Sequence, residues 1–251
     1  MVNEKSFKTQ IARSSRDVID FYDNYAVSWD LRFADKKSTA EFHRIRFGSF
    51  IKVANLKKSD RLVELGVGTG NYLDMIMPFV KEIICIDGSK KMLDILSAKY
   101  RGFSNIRILQ MDLENPLKNI TFEADIVYCF GLVEHIINFE SFITNCKKML
   151  KNNGMIIFIT PNGRSPWYKG LRKLCRAGSH CTSDKCYTKE QLDGLMIKYG
   201  FYPLASVYWG YFPAGISDFW FKVLNFSGKL IDKTCLNRYT GGLTVSYILK
   251  N

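Results

Sequence analysis

Apolar positions along the chain fall into two rhythms. Compact runs recur through its middle: Leu62, Val63 and Leu65, then Ile83 to Ile86, Ile106 to Leu109, Ala124 to Cys129 and Met155 to Thr160. Short, nearly continuous runs bounded by polar or glycine clusters predict strands buried on both faces. The second rhythm is three and four. Phe139, Phe142, Ile143, Cys146, Met149 and Leu150 share one face of a helix, with a stop expected over Asn152 to Gly154. Residues 14–24 and 40–54 also have helical character. Thr188 to Gln191 is a capping-box pattern, followed by Leu192, Leu195, Met196 and Tyr199 on one helical face and by Gly200 as a stop. Pro203 to Tyr208 and Leu243 to Leu249 read as the last two strands. Strands alternating with helices predict an α/β sheet with helices on both faces.

One turn gives this pattern a chemistry. Arg61 to Asn71 reads Arg-Leu-Val-Glu-Leu-Gly-Val-Gly-Thr-Gly-Asn: a buried strand, then glycines at 66, 68 and 70, with a helix expected from about Asn71. Without a Cβ, these positions let backbone amides approach a ligand at the carboxyl end of a parallel strand. The dinucleotide fingerprint is Gly-x-Gly-x-x-Gly. Here the run is Gly-x-Gly-x-Gly, with Glu64 two places before the first glycine. A second strand ends at Asp87, 17 residues after Gly70, where a carboxylate can accept hydrogen bonds from ribose hydroxyls. Asp112 and Leu113 follow the third strand, and Phe130 to His135 follows the fourth.

These ordered motifs resemble those of the class I S-adenosylmethionine-dependent methyltransferases, over roughly residues 20 to 160 and the last strand. Phe21 to Ala26, with Trp29 and Asp30, is similar to the lead-in of bacterial small-molecule methyltransferases of the quinone-biosynthesis type. The resemblance implies a doubly wound, seven-stranded, mostly parallel sheet of Rossmann-like methyltransferase type with an antiparallel final strand. It implies one domain over 1–251, with an N-terminal helical cap (1–56) and lid or substrate insertions at 163–187 and 209–242. It also implies S-adenosylmethionine as cofactor and S-adenosylhomocysteine as product. Tyr25, Glu64, Gly66, Gly68, Thr69, Gly70, Asp87, Gly88, Met92, Asp112, Leu113 and Phe130 are the residues expected around that cofactor. For the aromatic lead-in two readings stand: a segment folded over the cofactor, or a helix face packed on the core.

Methyl transfer needs nucleophile and methyl group held in line, and a base where the acceptor must lose a proton. His135 is the candidate base; only His43 and His180 compete. Glu134 is expected to support its loop. Some relatives bind a divalent metal through a carboxylate three residues before that Glu; this chain has Gly131 there, so no metal is expected. Cys175, His180, Cys181 and Cys186 lack the Cys-x-x-Cys pair usual in structural zinc sites.

Composition narrows the partners. The 251 residues are 47% hydrophobic, enough for one full core. No apolar stretch follows Met1, so no secretory leader is expected. Seven cysteines, three of them in predicted core elements, suit a reducing cytoplasm. The net charge of +12 raises nucleic acid, anionic membrane or acidic substrate as partners. Residues 1–61 carry 13 basic and 8 acidic side chains, a mixed surface, whereas Arg164 to Arg176 holds five basic residues and no acid. Trp167 to Arg176 has the spacing of an amphipathic basic helix. Between Trp209 and Phe226 stand seven aromatics, interrupted by Gly210, Pro213, Gly215 and Asp218, which argue against a spanning helix. Together the insertions predict a small-molecule, lipid or sugar acceptor that is apolar, anionic or both, and leave room for peripheral membrane contact. Nucleic acid is disfavoured as partner: the Asn/Asp-Pro-Pro-aromatic motif of base-amine methyltransferases is replaced by Cys129 to Leu132, which removes that subclass and leaves other RNA or DNA methyltransferases as an alternative. A non-catalytic cofactor-binding protein remains an alternative.

Overall fold

The computed structural model describes residues 10–29, 37–117, 120–166, 181–182, 185–210, 217–231 and 234–250. Seven strands form one sheet: β1 (Arg61–Leu65), β2 (Glu82–Asp87), β3 (Ile106–Gln110), β4 (Ala124–Phe130), β5 (Leu150–Pro161), β6 (Phe201–Trp209) and β7 (Gly242–Leu249). Their spatial order is β3-β2-β1-β4-β5-β7-β6. The strands from β3 across to β5 run parallel, and β7 lies antiparallel between β5 and β6. The order reverses between β1 and β4, and the crevice outside the strand ends at such a reversal is where doubly wound sheets bind ligands.

The helices are α1 (Ser15–Trp29), α2 (Lys37–Ala54), α3 (Leu73–Ile76), α4 (Lys90–Lys99), α5 (Phe139–Met149), α6 (Lys189–Lys198) and α7 (Asp218–Ile231). Because successive strand residues point to opposite faces, β1 sends Val63 and Leu65 one way and Leu62 the other. Val63, Leu65, Ile84, Ile86, Val127, Cys129 and Phe158 pack under α5 and α6. Leu62, Ile83, Cys85, Ile126, Tyr128, Ile157 and Ile159 pack under α2, α3 and α4. Cys85, Cys129 and Cys146 are buried free thiols that fill these two cores as small hydrophobes.

Two expectations shift in detail. The helix after the glycine turn spans only Leu73–Ile76 and then tightens into a 3-10 turn, Met77–Phe79. Pro78 lacks the N–H that would continue the ladder. Helix α5 ends at Met149, ahead of the stop expected at Asn152 to Gly154, because Leu150 already pairs with Ala124 in the sheet. The extra residues are absorbed by a register shift before Met155 meets Ile126, with Asn153 in the left-handed region at φ 60°. The capping box at Thr188 and Gln191 is formed at the start of α6.

Of the expected cap, α1 packs against α4, while α2 lies along β5, β6 and β7. The run Trp167 to Arg176, with Cys175 and His180, lies outside the described residues. Among the described residues no helix is long and apolar enough to cross a membrane, and no group of three or more His, Cys, Asp or Glu is arranged to hold a metal ion.

Candidate active site

The carboxyl ends of β1, β2, β3 and β4 bring nearly all the expected residues to one crevice. Of the three turn glycines, all with positive φ, two are required by packing. A Cβ on Gly66 would stand 2.9 Å from Leu132 Cδ1, and one on Gly70 would stand 2.5 Å from Leu96 Cδ1. Gly68 differs: at φ +56°, nothing among the described residues lies within 4 Å of where its Cβ would be. Its peptide edge therefore faces open space. The turn is braced from behind by α4, where Lys99 Nζ donates to the Thr69 carbonyl at 3.2 Å and the Tyr100 hydroxyl to the Gly70 carbonyl at 3.2 Å.

Asp87 is tied to that turn. One carboxylate oxygen accepts from the Gly68 N–H and the other from the Ser89 N–H, each at 2.8 Å. Burial pushes the Asp87 pKa up, opposed by the backbone donors of Ser89, Gly68 and Gly88. Each oxygen keeps acceptor capacity for a further donor. Glu64 lies behind the turn, buried, and accepts from the Tyr128 hydroxyl at 2.9 Å. Burial raises its pKa to about 8, against the pull of that hydroxyl and of the Arg46 charge.

Helix α1 crosses the carboxyl ends of β2 and β3. Ser15 Oγ donates to Asp112 at 2.7 Å, and Asp23 accepts from Ser89 Oγ at 2.5 Å and from the Lys91 N–H at 3.1 Å. A Cβ on Gly88 would meet Ile19 Cγ1 at 2.6 Å, so that glycine makes room for α1. Tyr22, on the same helix face, places its hydroxyl 3.3 Å from His135 Nε2, with the rings edge to face at 5.5 Å. His135 itself is buried at the end of the 3-10 turn Val133–His135 that follows β4. In that turn Glu134 accepts from Thr160 Oγ1 at 3.3 Å, linking the loop after β4 to β5.

Beyond Phe130 lies a cluster the sequence reading did not single out. Arg46 of α2 reaches over the ends of β4 and β5, donating to the Ile159 carbonyl and the Tyr72 hydroxyl at 3.4 Å each. Its guanidinium lies 5.8, 5.5 and 5.9 Å from the ring centres of Tyr72, Phe130 and Trp209. Tyr72 and Phe130 stack at 3.9 Å. His43 Nδ1 is 2.6 Å from the Tyr72 hydroxyl. Burial, reinforced by the Arg46 charge, lowers the His43 pKa to about 4, so this histidine is neutral at ordinary pH. A Cβ on Gly131 would stand 2.5 Å from Arg46 Nη2, so the guanidinium takes the space a side chain there would need.

Like Glu64 and Thr69, three further expected residues have little exposed surface. Met92 and Leu113 are 2% and 7% exposed and belong to the core beneath the site. Tyr25 is buried against Phe21 and Trp29, with ring centres 5.9 Å away in each case; Tyr22, not Tyr25, reaches the crevice. One face of α1 reaches Asp112, Ser89 and His135 at the strand ends, and its aromatic stripe of Phe21, Tyr22, Tyr25 and Trp29 packs ring against ring. The signal for Tyr22 was available as the helical stripe Ser15, Ile19, Tyr22 and Asp23. For Arg46 it was a basic residue among the apolar Phe42, Ile45, Phe47 and Phe50.

Comparison with known proteins accords with this geometry. Residues 63–158 match the family described as "Methyltransferase domain". An uncharacterized methyltransferase, YcgJ, of Bacillus subtilis (strain 168) is 27% identical over 130 residues, 51% of this chain and 50% of its own. A ubiquinone biosynthesis O-methyltransferase of Pasteurella multocida is 26% identical over 155 residues, 57% of this chain and 64% of its own. The chain thus spans about half of the first of these curated relatives and under two thirds of the second. The structure of magnesium protoporphyrin IX methyltransferase from Synechocystis PCC 6803 with bound SAH superposes with a TM-score of 0.64 at 12% identity. That superposition covers 94% of this chain and 100% of the other, a likeness of fold.

Proposed function

We propose that this chain, whose residues 63–158 match a methyltransferase domain family, is a class I S-adenosylmethionine-dependent methyltransferase that moves the methyl group of S-adenosylmethionine to a small-molecule, lipid or sugar acceptor, at oxygen, nitrogen or carbon. The observation that carries this reading is Gly68: a backbone edge facing open space, with its N–H fixed on the Asp87 carboxylate. A side chain there would fill the cradle. The residues present fit the cofactor. Asp87 would take the ribose hydroxyls, and Asp112 would face the adenine with Leu113 packed behind it. When bound, the cofactor supplies an electrophilic methyl group on a sulfonium.

The chain's own part is positioning and proton removal. Holding an acceptor close and in line accounts for most of the acceleration such displacements need. His135 would take the proton of a hydroxyl or ammonium acceptor at Nε2, the acceptor displacing the Tyr22 hydroxyl that stands 3.3 Å from that nitrogen. The aromatic ring cluster of Phe42, Tyr72, Phe130 and Trp209 supports an apolar acceptor, and Arg46 an anionic one. Peripheral contact with a membrane would bring lipid acceptors within reach.

The test is transfer of labelled methyl from S-adenosylmethionine to a panel of phenols, glycosides and lipids. Label is expected in an organic acceptor, and His135→Gln is expected to lower kcat by ~10²–10⁴-fold while leaving S-adenosylhomocysteine affinity unchanged. Cofactor binding with no acceptor labelled would favour a binding-only protein. An unaltered kcat in His135→Gln would remove the base role.

A further inference from the structure

Helix α7 carries apolar side chains on two sides, and among the described residues one side rests on the body of the protein while the other is exposed. Phe221, Leu224, Asn225 and Gly228 form the more buried side, where the helix rests on α2 and on the 3-10 turn Cys235–Tyr239. On the other side Phe219, Trp220, Val223, Phe226 and Leu230 are 67%, 57%, 44%, 70% and 61% exposed. Positions 219, 223, 226 and 230 follow the spacing that aligns side chains along one helical stripe. Together these five residues leave roughly 500–600 Å² of surface in water, at the upper end of what a soluble protein tolerates without a partner. A helix apolar all round is normally buried. This one lies at the surface.

Charge selects the partner. Over Asp218–Ile231 the helix sequence holds Lys222 and Lys229 against one acid, Asp218, and both Lys222 and, on the adjoining turn, Arg238 are exposed. The whole chain carries +12. Two copies meeting through this face would bring like charges together, a cost that high net charge imposes on self-association. An anionic bilayer satisfies both features: aromatic and aliphatic side chains enter the boundary between headgroups and acyl chains, and the cations meet lipid phosphates. We infer that α7 docks the protein onto an anionic lipid surface, with Phe219, Trp220, Val223, Phe226 and Leu230 inserted into the interface. Helix α2, on which α7 rests, carries His43 and Arg46, so docking sets the acceptor side of the crevice beside the lipid. The inference does not depend on methyl transfer, because lipid binding is read without cofactor or acceptor.

The experiment is co-sedimentation of the full chain with vesicles of phosphatidylcholine alone or mixed with phosphatidylglycerol, at low and high salt. Binding to the anionic vesicles is expected, falling by about tenfold or more on neutral vesicles or in high salt. Tryptophan emission should shift to shorter wavelength on binding, and Trp220→Phe should remove that shift. The double variant Phe219→Ser and Phe226→Ser should lose at least about tenfold in vesicle affinity. Because those side chains are exposed, it should keep the wild-type melting temperature and S-adenosylhomocysteine affinity. Wild-type protein left in the supernatant would overturn the proposal, as would binding that the double variant retains. A dimer in sedimentation equilibrium that the double variant dissociates would also overturn it, assigning the face to a second copy. Absence of S-adenosylhomocysteine binding would count against the transferase reading alone.

Discussion

Glu64 illustrates how a single carboxyl can work against its own charge. It stands two residues before the first turn glycine, sealed against Tyr128, and burial lifts its pKa from 4.5 to about 8. The folded protein therefore holds this proton more tightly than the unfolded chain. The contribution of Glu64 is fully present below about pH 4.5 and is lost as pH rises towards 8. Glu64→Gln should remove that component, leaving melting temperature less dependent on pH between 5 and 8 and raising it relative to wild type at the alkaline end. Identical pH profiles for the two proteins would mean that Glu64 is charged in the fold. The residues that could be read from sequence were those whose role is set by the local chain. Gly68 and Asp87 sit at fixed offsets from a strand end, and the structure joins them directly. Arg46 stood out in the sequence only as a basic residue on an apolar helix; its partners were not legible, because they come from the ends of β4, β5 and β6 and from the glycine-turn segment, which only the fold brings together. Tyr22 and Tyr25 are separated by helical phase alone: one faces His135 and the other its own helix neighbours.

At the scale of elements, α1 is the part whose position decides access. It is held over the crevice by Ser15 on Asp112, Asp23 on Ser89 and Lys91, and Tyr22 on His135. A hydrogen bond of this kind is worth about 0.5–1.5 kcal/mol, so removing two or three should speed opening by about tenfold. The double variant Ser15→Ala and Asp23→Ala is expected to release S-adenosylhomocysteine about tenfold faster in stopped-flow displacement, with little change in the association rate. Unchanged release would mean that α1 does not gate the site. The strands were legible because burial on both faces leaves an unbroken apolar run that no surface element shares. The end of α5 was not. Its local stop signal lay at Asn152 to Gly154, but pairing of Leu150 with Ala124 drew the chain into the sheet first. Tertiary pairing outweighed local turn chemistry there. Pro78 had the converse effect after the glycine turn, where a single residue cut the helix short.

For the whole molecule, the strand order β3-β2-β1-β4-β5-β7-β6 and its reversal between β1 and β4 put the glycine turn, the two aspartates and His135 at one crevice. Strand order in space is not written in any local run; what followed from the family resemblance was a seven-stranded, mostly parallel sheet with an antiparallel final strand, and the sheet bears that out. Orientation of the inserted α7 was not legible, since its apolar residues fit a lid and an outward face equally well, and the structure exposes them. The central claim is that the open edge at Gly68 receives S-adenosylmethionine and not a dinucleotide. Calorimetric titration of the purified chain with S-adenosylmethionine, S-adenosylhomocysteine and NAD, beside Gly68→Val, tests it most directly. Micromolar binding of the first two, none of NAD, and loss of binding in the variant are the predicted results. Binding of NAD, or a Gly68→Val protein that holds S-adenosylhomocysteine as tightly as wild type, would contradict it.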